Sequence, residues 1–425
     1  MKKLTTLIIL LGMTLGASAQ EEITKTGLNF GPLPAVGYSS DLGWHYGALS
    51  DIYWYGDGSV YPEYVWKANV EISRYSKGNT VLHSFFDSKY LIPGIRFSAA
   101  ISWFGNKTTN FYGFNGAASE YLPQFDKITE DGLGLYLMRR DIFRVQTCFQ
   151  GAFGDSNWGW AAGLTYWNIK TGHAVNKGLS TDPLVDCSLY DSYVAFGVIP
   201  EKEANGGQHL EGKFGVVYDT RDHENNPTRG TNLEVYMFGS PDIISKHDNS
   251  YLKLAVHFKQ FFPIADRLVF GAHLAYQGLI AGNAPYYMLQ TIQSINMKQI
   301  NTEGLGSTCT LRGTINNRLQ GNGYAWMNTE LRWTFAKFRW INQNWALALN
   351  PFFDMGMVVQ PYRLEQMKNL PLFYTGQKEK LHMSAGAGLH VIMNQNFNIN
   401  FEFGKCFDPN DGRGLGINIG LNYIF

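Results

Sequence analysis

Alternation of apolar and polar residues with period two limits this chain more than any other feature. In LGINIGLNYIF the residues Leu415, Ile417, Ile419, Leu421, Tyr423 and Phe425 point one way, and Gly416, Asn418, Gly420 and Asn422 point the other. That spacing belongs to a β-strand, whose successive side chains leave opposite faces. FNINFEF repeats it, with Phe397, Ile399, Phe401 and Phe403 opposed to Asn398, Asn400 and Glu402. So does YLKLAVHFK, where Leu252, Leu254, Val256 and Phe258 oppose Lys253, His257 and Lys259. A soluble sandwich alternates too, but it seldom lines its second face with so many Gly and Asn.

Composition indicates which solvent the apolar face meets. Aromatic residues make up 15% of the chain and charged residues only 16%, against about 25% charged in soluble proteins. With 46 Gly as well, this is the profile of an outer-membrane β-barrel, whose strands alternate and whose rims carry aromatic girdles. Beyond the first residues no apolar run reaches the ~18 residues of a membrane-spanning helix. A formal net charge of zero offers no basic face to nucleic acid. The opening MKKLTTLIILLGMTLGASAQ has Lys2 and Lys3, a short apolar core and Ala17-Ser18-Ala19, so residues 1–19 read as a secretory signal peptide. No cysteine follows that site to take a lipid.

We place strands at 32–39, 42–54, 64–74, 94–104, 129–139, 143–154, 157–169, 209–220, 230–239, 250–261, 267–279, 323–335, 344–357, 380–393, 396–406 and 413–425. Residues 20–31 form a short leading segment, and 32–425 form one all-β domain, a transmembrane antiparallel barrel of sixteen strands. An even count brings both ends of the chain to the same side. Long polar connections such as 170–208, 280–322 and 358–379 read as outer loops, and tight ones as periplasmic turns. The stretch 106–128 breaks that rule, being long on the periplasmic side. Pro32 and Pro34 in the first strand cannot donate ladder hydrogen bonds. They either weaken the joint between the first and last strands or merely precede the strand.

The register also places charge. Glu330 in MNTELRWTF falls on the lumen face with Asn328 and Arg332, and Asp354 in FFDMGMV falls there with Asn350 and Phe352. Buried carboxylates need partners. Arg312, in the long connection containing CTLRGTINNRLQG, would supply a forked donor if that loop folds inward.

These segments resemble a known family. GVVYDTRDHENNPTRGTNLEVYMFGSP, APYYMLQ, TLRGT, MNTELRWTF, FFDMGMV, MSAGAGLHV, FEFGK and the terminal Phe425 are similar, in order over about 212–425, to the barrel of the BamA-type outer-membrane assembly and translocation superfamily. PLPAVGYS, GWHYG and FYGFNG match more loosely. The resemblance implies sixteen strands, a sixth outer loop folded into the lumen, and an Arg-Gly tip meeting acids on the inner wall. By it Leu311, Arg312 and Gly313 form the tip, and Glu330 and Asp354 the wall acids. Thr314 stands where the family usually has an aromatic, and residues 20–31 leave no room for the polypeptide-transport-associated domains that family members receiving substrate in the periplasm carry.

Around Asp219, Arg221 and Asp222, the YDTRD run opens a turn closed by Pro227 and Gly230; turn chemistry and a partner-docking surface are both open readings. Cys187 and Cys309 lie in the two longest outer loops and are a candidate disulfide, while Cys148 and Cys406 lie in strands. No GxSxG, HExxH or phosphate loop occurs, and no cofactor or metal motif, so the chain is not read as an enzyme. The expected setting is the outer membrane of a Gram-negative bacterium, with lipid around the barrel. Two functions fit: a factor that helps insert or translocate proteins, acting on unfolded outer-membrane proteins or through a separate periplasmic partner, and a plugged pore or structural surface barrel. Arg312 serves as a latch in the first and as a strut in the second.

Overall fold

Sixteen antiparallel strands close on themselves in this computed structural model, which describes residues 23–425 apart from 40–42, 183, 246–248, 296–303, 307–309, 371, 396, 413 and 422. The signal peptide expected at 1–19 lies outside the described residues. In chain order the strands are β1 (Leu28–Ser39), β2 (Gly43–Trp54), β3 (Trp66–Tyr75), β4 (Thr80–Ile92), β5 (Ile95–Gly105), β6 (Leu137–Ala152), β7 (Trp158–His173) and β8 (Gly206–Asp219). They continue with β9 (Gly230–Ser240), β10 (Tyr251–Ala265), β11 (Leu268–Gly282), β12 (Gly323–Trp340), β13 (Gln343–Gln360), β14 (His382–Met393), β15 (Phe397–Cys406) and β16 (Gly416–Leu421). A two-residue strand, Thr109–Asn110, adds to β6.

Burial follows the alternation with its sign inverted relative to a soluble protein. Polar residues Asn328, Glu330, Arg332, Asn350 and Asp354 are buried inside, while Trp333, Leu349, Leu389, Phe403 and Phe214 are exposed outside. An apolar outer wall around a polar lumen is what hydrocarbon outside and water or polar protein inside select.

The count of sixteen conceals two compensating errors of sequence reading. The segment expected at 129–139 is mostly connection and reaches β6 only at 137–139, the segment at 143–154 falls in that same strand, and β4 occupies a stretch expected to be a connection. In β4, the run from Thr80 carries Val81, His83, Phe85 and Asp87 inward, with Leu82, Ser84 and Phe86 opposite, so polar residues on both faces blur the period. Restoring β4 removes the anomaly at 106–128. That stretch follows β5 and joins the long connections at the same end as 174–205, 283–322 and 361–381.

The chain end departs from the strand expected at 413–425. Strand β16 stops at Leu421, and Tyr423, Ile424 and Phe425 are buried. They do not continue the outward apolar row.

The ring has one thin joint. Strands β1 and β2 pair through twelve residues without a break, whereas among the described residues β1 meets β16 at Tyr38–Ile419 and Ser39–Asn418. Pro32 and Pro34 lie inside β1, opposite Ser50 and Ala48 of β2. Because the β2 ladder runs through both, the edge without donors is the one turned towards β16.

At the long-loop end, connections pack into an aromatic cap. Phe111, Phe114, Tyr190, Tyr193, Tyr286 and Tyr362 belong to one buried cluster fed by four of them. Among these is a short helix, α1 (Leu189–Ala195), begun by a capping box of Ser188 and Asp191.

Candidate functional site

Within the 283–322 connection, residues 310–314 make a tight turn that delivers Arg312 to the inner wall. Thr314 N donates to Leu311 O at 3.2 Å, and the Asn328 side chain of β12 donates to Thr310 O at 2.6 Å. Leu311 is fully buried against Leu305, Leu319, Tyr324, Trp326 and Val358. Gly313 has φ +89°, a conformation that suits glycine, and a β-carbon there would lie 2.5 Å from the Gly404 carbonyl carbon in β15.

Arg312 then reaches three carboxylates from three strands. Its Nε and Nη2 donate to Asp354 Oδ2 and Oδ1 of β13, each at 2.8 Å, and its backbone N donates to Oδ2 at 3.0 Å. Nη1 donates to Glu330 Oε1 of β12 and, at 3.0 Å, to Glu402 Oε1 of β15. The guanidinium carbon sits 3.6 Å above the centre of the Phe352 ring, so one face is covered by π density while the edges are satisfied by carboxylates. All three acids and the arginine are buried. Such a cluster says little about net stability, but removing one partner leaves uncompensated buried charge, at a cost of about 3–5 kcal/mol.

A second arginine completes the charge pattern. Arg332 Nε donates to Glu330 Oε2 at 2.7 Å, and its Nη2 donates to Phe425 O at 2.8 Å. Two guanidiniums thus face three carboxylates, and Glu330 is shared between them.

The structure brings Leu311, Arg312, Gly313, Glu330 and Asp354 together. Sequence reasoning missed Glu402 and Phe352 as partners, although both fall on the lumen face of their strands. Glu402 was legible in FEFGK, two residues before the glycine that lets the tip approach. It also missed Arg318, which donates to Asn410 O, Gly116 O and Ser119 O at 2.9, 3.1 and 3.1 Å and so ties three connections together.

The turn motif forms a separate, self-contained unit on the tight-turn side. Arg221 Nε and Nη2 donate to the two Asp219 oxygens at 2.9 and 2.6 Å. Asp222 accepts from the amides of His223, Thr228 and Arg229 at 3.0, 2.9 and 3.3 Å, and from the Thr228 hydroxyl. Burial pushes the Asp222 carboxyl up, but those donors outweigh it and hold it below its ordinary value. Gly230 closes the turn at φ +102°, where a β-carbon would lie 2.3 Å from Thr220 O. Of the expected pair Cys187 and Cys309, Cys187 is exposed and Cys309 lies outside the described residues.

Comparison with known proteins supplies the rest. A family model described as "Omp85 superfamily domain" matches residues 66–425. No curated protein matches the chain in sequence. Among solved structures, BamA from Haemophilus ducreyi lacking POTRA domains 1–3 is 16% identical with a TM-score of 0.53, covering 94% of this chain and 71% of that one. CdiB from Escherichia coli is 10% identical with a TM-score of 0.55, covering 96% and 64%. CdiB from Acinetobacter baumannii is 11% identical at 0.50, covering 94% and 60%, so this chain spans less than two thirds of either CdiB. At these identities the likeness is one of fold.

Proposed function

Because the chain belongs to the Omp85 superfamily, we propose that it helps insert or translocate proteins at the outer membrane of a Gram-negative bacterium, with the β1–β16 joint as the part that opens. The observation that carries this reading is that, among the described residues, β1 contacts β16 through two pairs, against twelve pairs between β1 and β2. An antiparallel pair is held by its ladder and cross-strand contacts, so the thinnest ladder parts first. Opening there would add Tyr38 and Ser39 to the stretch of β1, Leu28 to Gly37, that has no β16 partner among the described residues, and so offer an incoming chain a whole strand edge.

In this reading Arg312 is a latch. It fixes the 283–322 connection across β12, β13 and β15, and those strands lead directly to β16. Lipid surrounds the barrel, unfolded outer-membrane proteins are its clients, and a separate periplasmic protein could deliver them to its turns. The chemistry is strand exchange and needs no catalytic residue.

A plugged structural barrel is the competing reading, favoured by the buried aromatic cluster at the long-loop end. Tyr38→Cys and Ile419→Cys, at paired positions, allow the joint to be closed by a disulfide. Outer-membrane protein assembly should fall in cells carrying the closed form, as in a deletion strain, and recover under reductant. Unchanged assembly in both strains rejects insertion and leaves the structural barrel.

A further inference from the structure

The pairs Tyr38–Ile419 and Ser39–Asn418 fix a register. Continued along both strands, it would set Tyr423 opposite Pro34 and Phe425 opposite Pro32. Neither proline has an N–H to give, so a ladder holding the last residues in the sheet would lack two donors there. The chain end turns into the lumen instead. Phe425 stacks on Phe261 of β10 at 6.0 Å between ring centres, and Tyr423 stacks on His390 of β14 at 4.1 Å.

One residue holds this tail by both its chain and its rings. Arg332 donates to Phe425 O at 2.8 Å and lies 4.0 Å over Tyr423 and 4.9 Å over Phe425. The same guanidinium donates to Glu330 Oε2, while Glu330 Oε1 accepts from Arg312. A single carboxylate therefore links the loop tip to the last residue of the chain.

We infer that Tyr423–Phe425 is a second latch on the β1–β16 joint, and that Arg332 couples its release to that of the Arg312 tip. This rests on the reading of that joint as the part that opens. When Arg312 withdraws, Arg332 is the guanidinium left beside the three acids among the described residues, with the His390 imidazole 4.0 Å from Glu402. The unbalanced charge draws Arg332 towards the acids and off the Phe425 carbonyl, and the tail comes free. Linkage makes the effect reciprocal: freeing the tail loosens the tip. Arg332 is a positioning residue here, acting through Glu330 on one side and the tail on the other.

The test uses the full chain, purified in detergent, with Ile424→Cys as the reporter. Ile424 is buried, so maleimide labelling of this cysteine should be slow. Labelling is compared with a version that also lacks the exposed Cys187, and folding is checked by heat-dependent gel mobility. Arg312→Ala should speed labelling by about tenfold, a typical size for coupling between sites. Arg332→Gln should do the same, and the two together should add little. Gly404→Val, which displaces the tip with both arginines intact, should reproduce the effect and stands in if Arg312→Ala fails to fold. Labelling unchanged by Arg312→Ala or by Gly404→Val overturns the coupling, as do effects of the two arginine variants that multiply independently. The readout is taken without client protein, so it fails or holds separately from the assembly test above.

Discussion

Gly313 and Gly404 touch backbone to backbone: a β-carbon on Gly404 would lie 3.0 Å from the Arg312 carbonyl carbon, and one on Gly313 would lie 2.5 Å from the Gly404 carbonyl carbon. The contact seats the loop tip without any charge of its own. Gly404→Val should therefore unseat Arg312 by shape alone. In planar bilayers the wild type should conduct poorly and the variant well, as should Arg312→Ala. A wide-open wild type, or a variant as closed as it, would show that the tip does not obstruct the lumen.

The partners of Arg312 should differ in what their loss costs. Asp354→Asn removes the acid that takes both Nε and Nη2, and unfolding in urea should shift by about 3–5 kcal/mol. Phe352→Leu keeps every ion pair and removes only the ring under the guanidinium, for about 0.5–2 kcal/mol. Equal losses would mean that the charge pattern is not what holds the tip.

Much of this site is legible in the sequence. Parity alone puts Glu330 and Asp354 on one face, because a barrel wall admits two directions and the apolar neighbours Leu331 and Trp333 claim the outer one. Which loop residue meets them was not derivable from parity; it came from the resemblance carried by TLRGT. Strand β4 was missed because His83 and Asp87 on its inner face and Ser84 on its outer face mimic a polar connection. The inward tail was missed for a different reason. Nothing in GLNYIF breaks the strand period, and the residues that the β1–β16 register sets opposite the tail, Pro32 and Pro34, lie nearly four hundred positions away. A sequence pattern records local preference, whereas the partner that a strand end meets is set by closure of the ring.

The Asp222 turn should respond to pH with a definite sign. Its carboxyl is held below the ordinary value in the folded chain, so its contribution is fully present above the unfolded pKa and is lost as pH falls through the folded one. Asp222→Asn should lower the unfolding midpoint at pH 6, and the gap from wild type should close as pH drops below about 4. A gap that persists at pH 2 would mean the turn is held by Arg221 and Gly230 without the Asp222 charge.

Restoring donors to β1 should move the chain end. Pro32→Val with Pro34→Val returns two N–H groups to the edge that faces β16, and valine suits a strand. Each ladder hydrogen bond then gained contributes about 0.5–1.5 kcal/mol, in competition with the rings and the Arg332 contact that hold Phe425 inside. If the prolines are what keep the tail out of the sheet, the double variant should expose Cys at position 424 to maleimide, as tail residues leave the lumen to pair with β1. It should also raise the unfolding midpoint and reduce assembly of client proteins, because the joint is now longer. Should the tail stay buried with both prolines replaced, the lumenal contacts are sufficient by themselves and the prolines serve only to keep the β1 edge free.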